Sequence, residues 1–138
     1  MPRRREVGYA EARELVGAVA DRLEAQGKGA AVAVVDAHGE LVALLRTDGC
    51  PLPSIKIAIG KAFTAARERS ESRALGDRAR EEGFPLTNFG ELGYVGWGGG
   101  VPILIDGEVI GAIGVSGLPE ADDMELARWA AASLASGS

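Results

Sequence analysis

The sequence is short of the residues that most often carry metal and nucleophile chemistry. Its 138 residues include one cysteine, Cys50, and one histidine, His38. A single cysteine excludes an intrachain disulfide. Zinc and related sites draw three or four ligands from His, Cys and carboxylates, so a nitrogen/sulfur centre is poorly supported. A Ser-His-Asp triad would have to use His38, and no G-x-S-x-G elbow is present. Cys50 lies between Gly49 and Pro51 and would need a neighbouring base to act as a nucleophile. Concentrated positive charge is also missing. The net charge is −5 and the acidity is spread along the chain, which argues against a nucleic-acid partner. The only basic run, Arg3-Arg4-Arg5, reads as a solvated tail. No apolar stretch of about 18 residues exists and no apolar segment follows the arginines, so neither a membrane span nor a secretory signal is expected. These absences point to a soluble, cytoplasmic protein.

What is present suits one folded domain. Apolar residues make up 46% and charged residues 25%, near the globular average. The length fits a single domain, residues 1–138, with its core at about 9–135.

Tyr9 to Gln26 predicts an amphipathic helix, with Leu15, Val16, Val19 and Leu23 at helical spacing and Gly27 to stop it. Ala30 to Asp36 and Leu41 to Arg46 predict a hairpin around Ala37-His38-Gly39-Glu40, which leaves His38 exposed in a turn. After a breaker-rich loop, Ser54 is expected to cap a helix of sequence IKIAIGKAFTAARER, whose small apolar face would let it lie close to a sheet. Ser70 to Glu82 reads as a short polar helix. Val101 to Gly117 predicts a second hairpin, turning at Asp106-Gly107, where positive φ is needed. Pro119 and the acidic residues Glu120, Asp122, Asp123 and Glu125 suit the start of a last helix, Glu120 to Ala135. Helix-start electrostatics accounts for those carboxylates better than a cation site does.

The candidate site lies before the second hairpin. Four of the seven aromatic residues, Phe84, Phe89, Tyr94 and Trp97, fall in the irregular stretch from Gly83 to Gly100. They either pack over the sheet or touch a ligand. Gly96-Trp97-Gly98-Gly99-Gly100 lacks the Lys-Ser/Thr of a phosphate loop, and no G-x-G-x-x-G follows a strand, so dinucleotide binding is disfavoured. Its bare backbone N–H groups would suit a carboxylate or another anion. The loop is either a tight turn or a close approach for a ligand, and Trp97 among glycines is hard to explain by folding alone. Lys61, on a small apolar helix face, either snorkels to solvent or pairs with an anionic ligand.

The stretches AVAVVDAHGELVAL, SIKIAIGKAFTAA, GGGVPILIDGEVIGAIGVSG and PEADDMELA, in that order over roughly residues 10–135, resemble the GlcG/HbpS-like family. That group includes the C-terminal domain of PduO-type proteins. The resemblance implies an α+β, profilin-like domain with a five-stranded antiparallel sheet flanked by helices. It also implies homo-oligomers, often octamers or other rings. Some relatives bind haem or a corrinoid, haem degradation has been attributed to some, and many have no settled activity. Relatives often carry an R-P-T-like segment after the KAxTAA helix, whose threonine is associated with haem contact in some. Here that segment is Arg69-Ser70-Glu71-Ser72, with Ser72 about where the threonine would be. Axial iron ligands are scarce: His38 is in a turn, Met1 is terminal and Met124 is helical.

Three functions follow. The first is an oligomeric binding module for a haem- or corrinoid-like small molecule, held by Lys61, Tyr94, Trp97, Gly98, Gly99 and Gly100. The second is a metal-independent enzyme acting on a small metabolite, with Lys61, Ser72, Glu91 and Tyr94, and also Asn88, as candidate catalytic groups. The third is an accessory subunit that assembles with another protein.

Overall fold

Two β-hairpins lie side by side in one antiparallel sheet of order β2-β1-β4-β3. The computed structural model describes residues 5–136, so Arg3 and Arg4 lie outside the described residues. The elements are α1 (Tyr9–Ala25), β1 (Ala31–Asp36), β2 (Leu41–Arg46), α2 (Ser54–Glu68), α3 (Ser72–Glu82), a 3-10 turn (Leu86–Phe89), β3 (Gly100–Ile105), β4 (Glu108–Ser116) and α4 (Glu120–Ser136). Both turns have the expected chemistry. Asp106 and Gly107 take φ of 50° and 78°, which a tight hairpin requires. In the other turn, Asp36 Oδ1 accepts hydrogen bonds from the His38 and Glu40 amides at 2.9 and 3.0 Å.

The described residues form four strands, not the five that the resemblance implies. No alternating apolar run is left to make a fifth. The Gly- and Pro-punctuated stretch after α3 folds as a 3-10 turn and coil. The chain before α1 adds one sheet-like bond, from the Val7 amide to the Ile110 carbonyl at 2.9 Å, before Gly8 turns it into the helix.

Strand alternation sends two sets of side chains to opposite faces. One face carries Val32, Val34, Ile113 and Val115 under α1 and α4, which contribute Leu15, Val19, Leu23, Leu126 and Ala130. The other carries Ala31, Ala33, Val35 and Ala112 under Ala58, Ala62, Ala65 and Ala66 of α2. Gly100 and Gly114 are paired directly across β3 and β4 on that side. A Cβ on Gly114 would lie 2.2 Å from the Ala58 carbonyl oxygen, and one on Gly100 would lie 2.1 Å from that of Lys61. The α2 backbone therefore rests almost directly on the sheet backbone, as its small face predicts. Ser54 does not cap this helix, because its side chain makes no capping bond and the preceding Pro53 is already helical, with φ −67° and ψ −20°.

Candidate functional site

The glycine loop is held from three elements. Ser72, fully buried at the start of α3, donates to the Trp97 carbonyl at 2.7 Å and accepts from the Gly100 amide at 2.9 Å. Glu120, at the start of α4, accepts from the Gly98 amide at 2.6 Å and from Arg73 Nη1 at 2.9 Å. The Gly99 carbonyl accepts from the Val115 amide at 3.0 Å. Gly99 has φ +128°, and a Cβ there would sit 2.5 Å from the Val115 carbonyl oxygen and 2.9 Å from Lys61 Nζ. The amides of Gly98 and Gly100 are thus spent on the chain's own Glu120 and Ser72. The expectation that this loop shows bare N–H groups to an anion is corrected, because the anion it holds is a side chain of α4. Trp97 is the part of the loop that faces out, at 59% exposure.

Lys61 is 2% exposed and does not snorkel. Its ammonium donates to the Val115 carbonyl at 2.9 Å and to Asp123 Oδ2 at 3.1 Å. Asp123 Oδ1 accepts from the Leu118 amide at 3.1 Å. Burial pushes the Asp123 carboxyl above its ordinary range, outweighing the opposite pull of Lys61 and of the amides it accepts from. Neither sequence alternative for Lys61 foresaw this internal partner. Asp123 was readable as more than a helix-start charge. Leu126, Ala127 and Ala130 follow it at helical spacing and are all buried, so the same face turns Asp123 inward.

The other candidates fall in different places. Tyr94 stacks on Phe89 at 4.6 Å between ring centres and meets Phe63 edge-on at 5.7 Å. Its hydroxyl donates to Glu68 Oε2 at 3.3 Å, and burial together with the Glu68 charge pushes it up. Thr64 was not singled out by sequence, yet its buried hydroxyl accepts from the Val95 amide at 2.8 Å and fixes this segment on α2. Glu91 is exposed and accepts from the Gly93 amide at 3.1 Å, and Asn88 is exposed, so neither joins Lys61 or Ser72. His38 stands in its turn with 72% of its side chain exposed. Burial pushes the Cys50 thiol up, away from the nucleophilic thiolate.

Trp97 borders two hollows of different character. The first is an apolar groove of about 570 Å³, walled by Ala79, Phe84, Leu86, Tyr94, Val95 and Trp97, with Arg80 beside them. A Cβ on Gly76 would fall 1.9 Å from the Gly96 carbonyl oxygen, so α3 and the loop close its floor backbone to backbone. The second hollow holds about 350 Å³ and is bordered by Ser54, Ile57, Lys61, Ser116, Glu120 and Asp123. Of the expected ligand residues, Tyr94 and Trp97 border the groove, Lys61 and Trp97 border the polar hollow, and Gly98, Gly99 and Gly100 border neither. No group of three His, Cys, Asp or Glu side chains placed to hold a metal ion occurs among the described residues. No helix among them is long and apolar enough to cross a membrane.

Comparison with known proteins places this architecture among relatives. The model of the family described as "Haem degrading protein HbpS-like" matches residues 7–132. Protein GlcG of Escherichia coli K12 is 38% identical over 91 residues, a stretch covering 62% of this chain and 62% of GlcG. The crystal structure of a double mutant of Streptomyces reticuli HbpS superposes with a TM-score of 0.85 at 30% identity, covering 97% of this chain and 90% of that one. A PduOC:haem complex superposes with a TM-score of 0.83 at 28% identity, covering 93% and 94%.

Proposed function

The chain belongs to the HbpS-like family, and from that premise we propose that it is a small-molecule binding protein for haem or a similar flat, anionic ring. The ring lies in the groove walled by Phe84, Leu86, Tyr94 and Trp97. The observation that carries this reading is Trp97, a large aromatic left 59% exposed at the lip of a groove of about 570 Å³. Pockets for small organic ligands run from about 300 to 1,000 Å³ and combine apolar walls with a few charged groups. Arg80 pairs through Nη2 with Asp77, and its half-exposed guanidinium keeps further donors for a ring carboxylate. The solved PduOC:haem relative supports the same ligand class.

The residues fit the ring and its carboxylates better than they fit iron. No His, Cys or Met borders the groove, and its one hydroxyl, on Tyr94, already donates to Glu68. Bound haem would supply redox chemistry, and this chain's residues hold the ring without giving it a strong axial ligand. Ser72 acts from below by fixing the Trp97 carbonyl. The protein works as a cytoplasmic homo-oligomer. Leu92 at 94% and Leu52 at 82% exposure are apolar surface for a second copy to cover, and light scattering tests the copy number, the octamer included.

Haem titration tests the reading. A shifted Soret band is expected, with affinity about tenfold weaker in Trp97→Ala, since a well-placed aromatic contact is worth up to about 1.5 kcal/mol beyond its area. A protein that leaves the spectrum of free haem unchanged removes the proposal.

A further inference from the structure

The polar hollow on the other side of Trp97 holds groups that the ring-binding reading does not use. Its charges are already answered within the chain. Lys61 is paired with Asp123, and Glu120 takes Arg73 and the Gly98 amide. Two hydroxyls are left over. Ser54 and Ser116 are each 5% exposed, and neither side chain makes a hydrogen bond among the described residues. No fully covered side-chain oxygen or nitrogen among these residues lacks a partner. The two unpartnered hydroxyls are therefore not fully covered, and both serines border the hollow. An ammonium has three donors, and Lys61 spends two, on Val115 and Asp123.

Hydroxyls this deep are normally paired, and two that keep open hydrogen-bonding capacity can offer it to a guest. A fold that keeps two of them beside a buried ion pair has a cradle for a polar guest. Charge decides which kind. An anion would meet two carboxylates, Asp123 and Glu120, against one ammonium that is already committed. An uncharged hydroxyl group meets no such penalty. It can donate to and accept from each serine, and its oxygen can take the remaining Lys61 donor. Ile57, Leu118 and Trp97 supply apolar wall for a short carbon chain.

We propose that this hollow is a second binding site, taking a small uncharged polyol against Ser54, Ser116 and Lys61. The site shares only Trp97 with the ring groove, so its test does not depend on haem. Glycerol and erythritol serve as probes and acetate as the charged control, with binding followed by saturation-transfer NMR on the full chain. The polyols are expected to receive saturation and acetate to receive none. The double variant Ser54→Ala, Ser116→Ala should weaken the polyols about tenfold, the loss of hydrogen bonds worth about 0.5 to 1.5 kcal/mol each. Its thermal midpoint should hold or rise, because the hydroxyls support nothing in the fold. Phe84→Ala, in the ring groove, should bind the polyols as the wild type does. The proposal is overturned by preference for acetate, by absence of transfer to either polyol, or by wild-type binding in the serine variant. A lowered midpoint in that variant, or lost polyol binding in Phe84→Ala, also overturns it.

Discussion

The two faces of the sheet are built on opposite rules. Under α1 and α4 the contacts are between branched aliphatic side chains, Val32, Val34, Ile113 and Val115 against Leu15, Val19 and Leu23. Under α2 nearly every contact is an alanine or a bare glycine, and helix backbone meets sheet backbone at Gly100 and Gly114. The first face gains by area, since burying a Val or Leu contributes about 1.5 to 3 kcal/mol. The second gains little area per residue and gains position instead. Lys61 and Thr64 reach backbone or carboxylate partners on this side at 2.8 to 3.1 Å, and Ser72 and Glu120 hold the glycine loop at 2.6 to 2.9 Å. The closer face carries the chemistry, and the bulkier face supplies the stability.

The sharpest way to break that comparison is to add one methyl group to the close face. Gly114→Ala puts a Cβ 2.2 Å from the Ala58 carbonyl oxygen, where only backbone can give way. The expected loss is about 5 kcal/mol or more, beyond ordinary overpacking, and a denaturant melt showing a near-native midpoint would refute the account. On the bulky face Leu23→Ala removes a fully buried side chain and should cost about 2 to 5 kcal/mol by leaving a cavity. Adding one methyl on one side should thus match or exceed removing three carbons on the other.

The buried pair comes next. Lys61→Met strands the Asp123 carboxylate and should cost about 3 to 5 kcal/mol at neutral pH. The sign with pH follows from burial, which already pushes Asp123 up and would push it further without Lys61. A carboxyl raised above its unfolded value penalises the fold when ionised, and the penalty lifts as pH falls through the folded value. The gap between wild type and Lys61→Met should therefore narrow on acidification, as measured by melts across the acid range. A gap that widens would mean that Asp123 is not the group left stranded.

Much of this was legible in the chain. Both hairpins, four helices and the small face of α2 follow from periodicity and turn chemistry, which act locally. Two features were not. The pairing of Asp123 with Lys61 was hidden because the two lie 62 residues apart and only the fold joins them, although the helical spacing of Asp123 marks its inward face. The inward turn of the Gly98 and Gly100 amides was equally hidden, since a glycine run does not say which of its own carboxylates or hydroxyls will claim it. The fifth strand came with the resemblance and had no apolar run of its own to support it.

The smallest expected effect contrasts the two helix starts. At α1, Glu11 accepts from the Gly8 amide at 3.0 Å and from Arg5 at 2.8 Å. The Gly8 N–H, and then Arg5, hold its carboxyl below the ordinary range. Glu11→Ala should cost about 0.5 to 1 kcal/mol, the usual worth of a cap at an exposed site. A lowered carboxyl stabilises the fold above its unfolded value and loses that contribution as pH falls through the folded one. The difference between wild type and Glu11→Ala should therefore be present at neutral pH and close in acid, opposite in origin to the Lys61→Met case but alike in direction. At α2, where Ser54 makes no capping bond, Ser54→Ala should leave the midpoint unchanged at any pH. If both variants lose the same amount, Ser54 serves as a cap after all, and its hydroxyl is not free for the hollow beside Lys61.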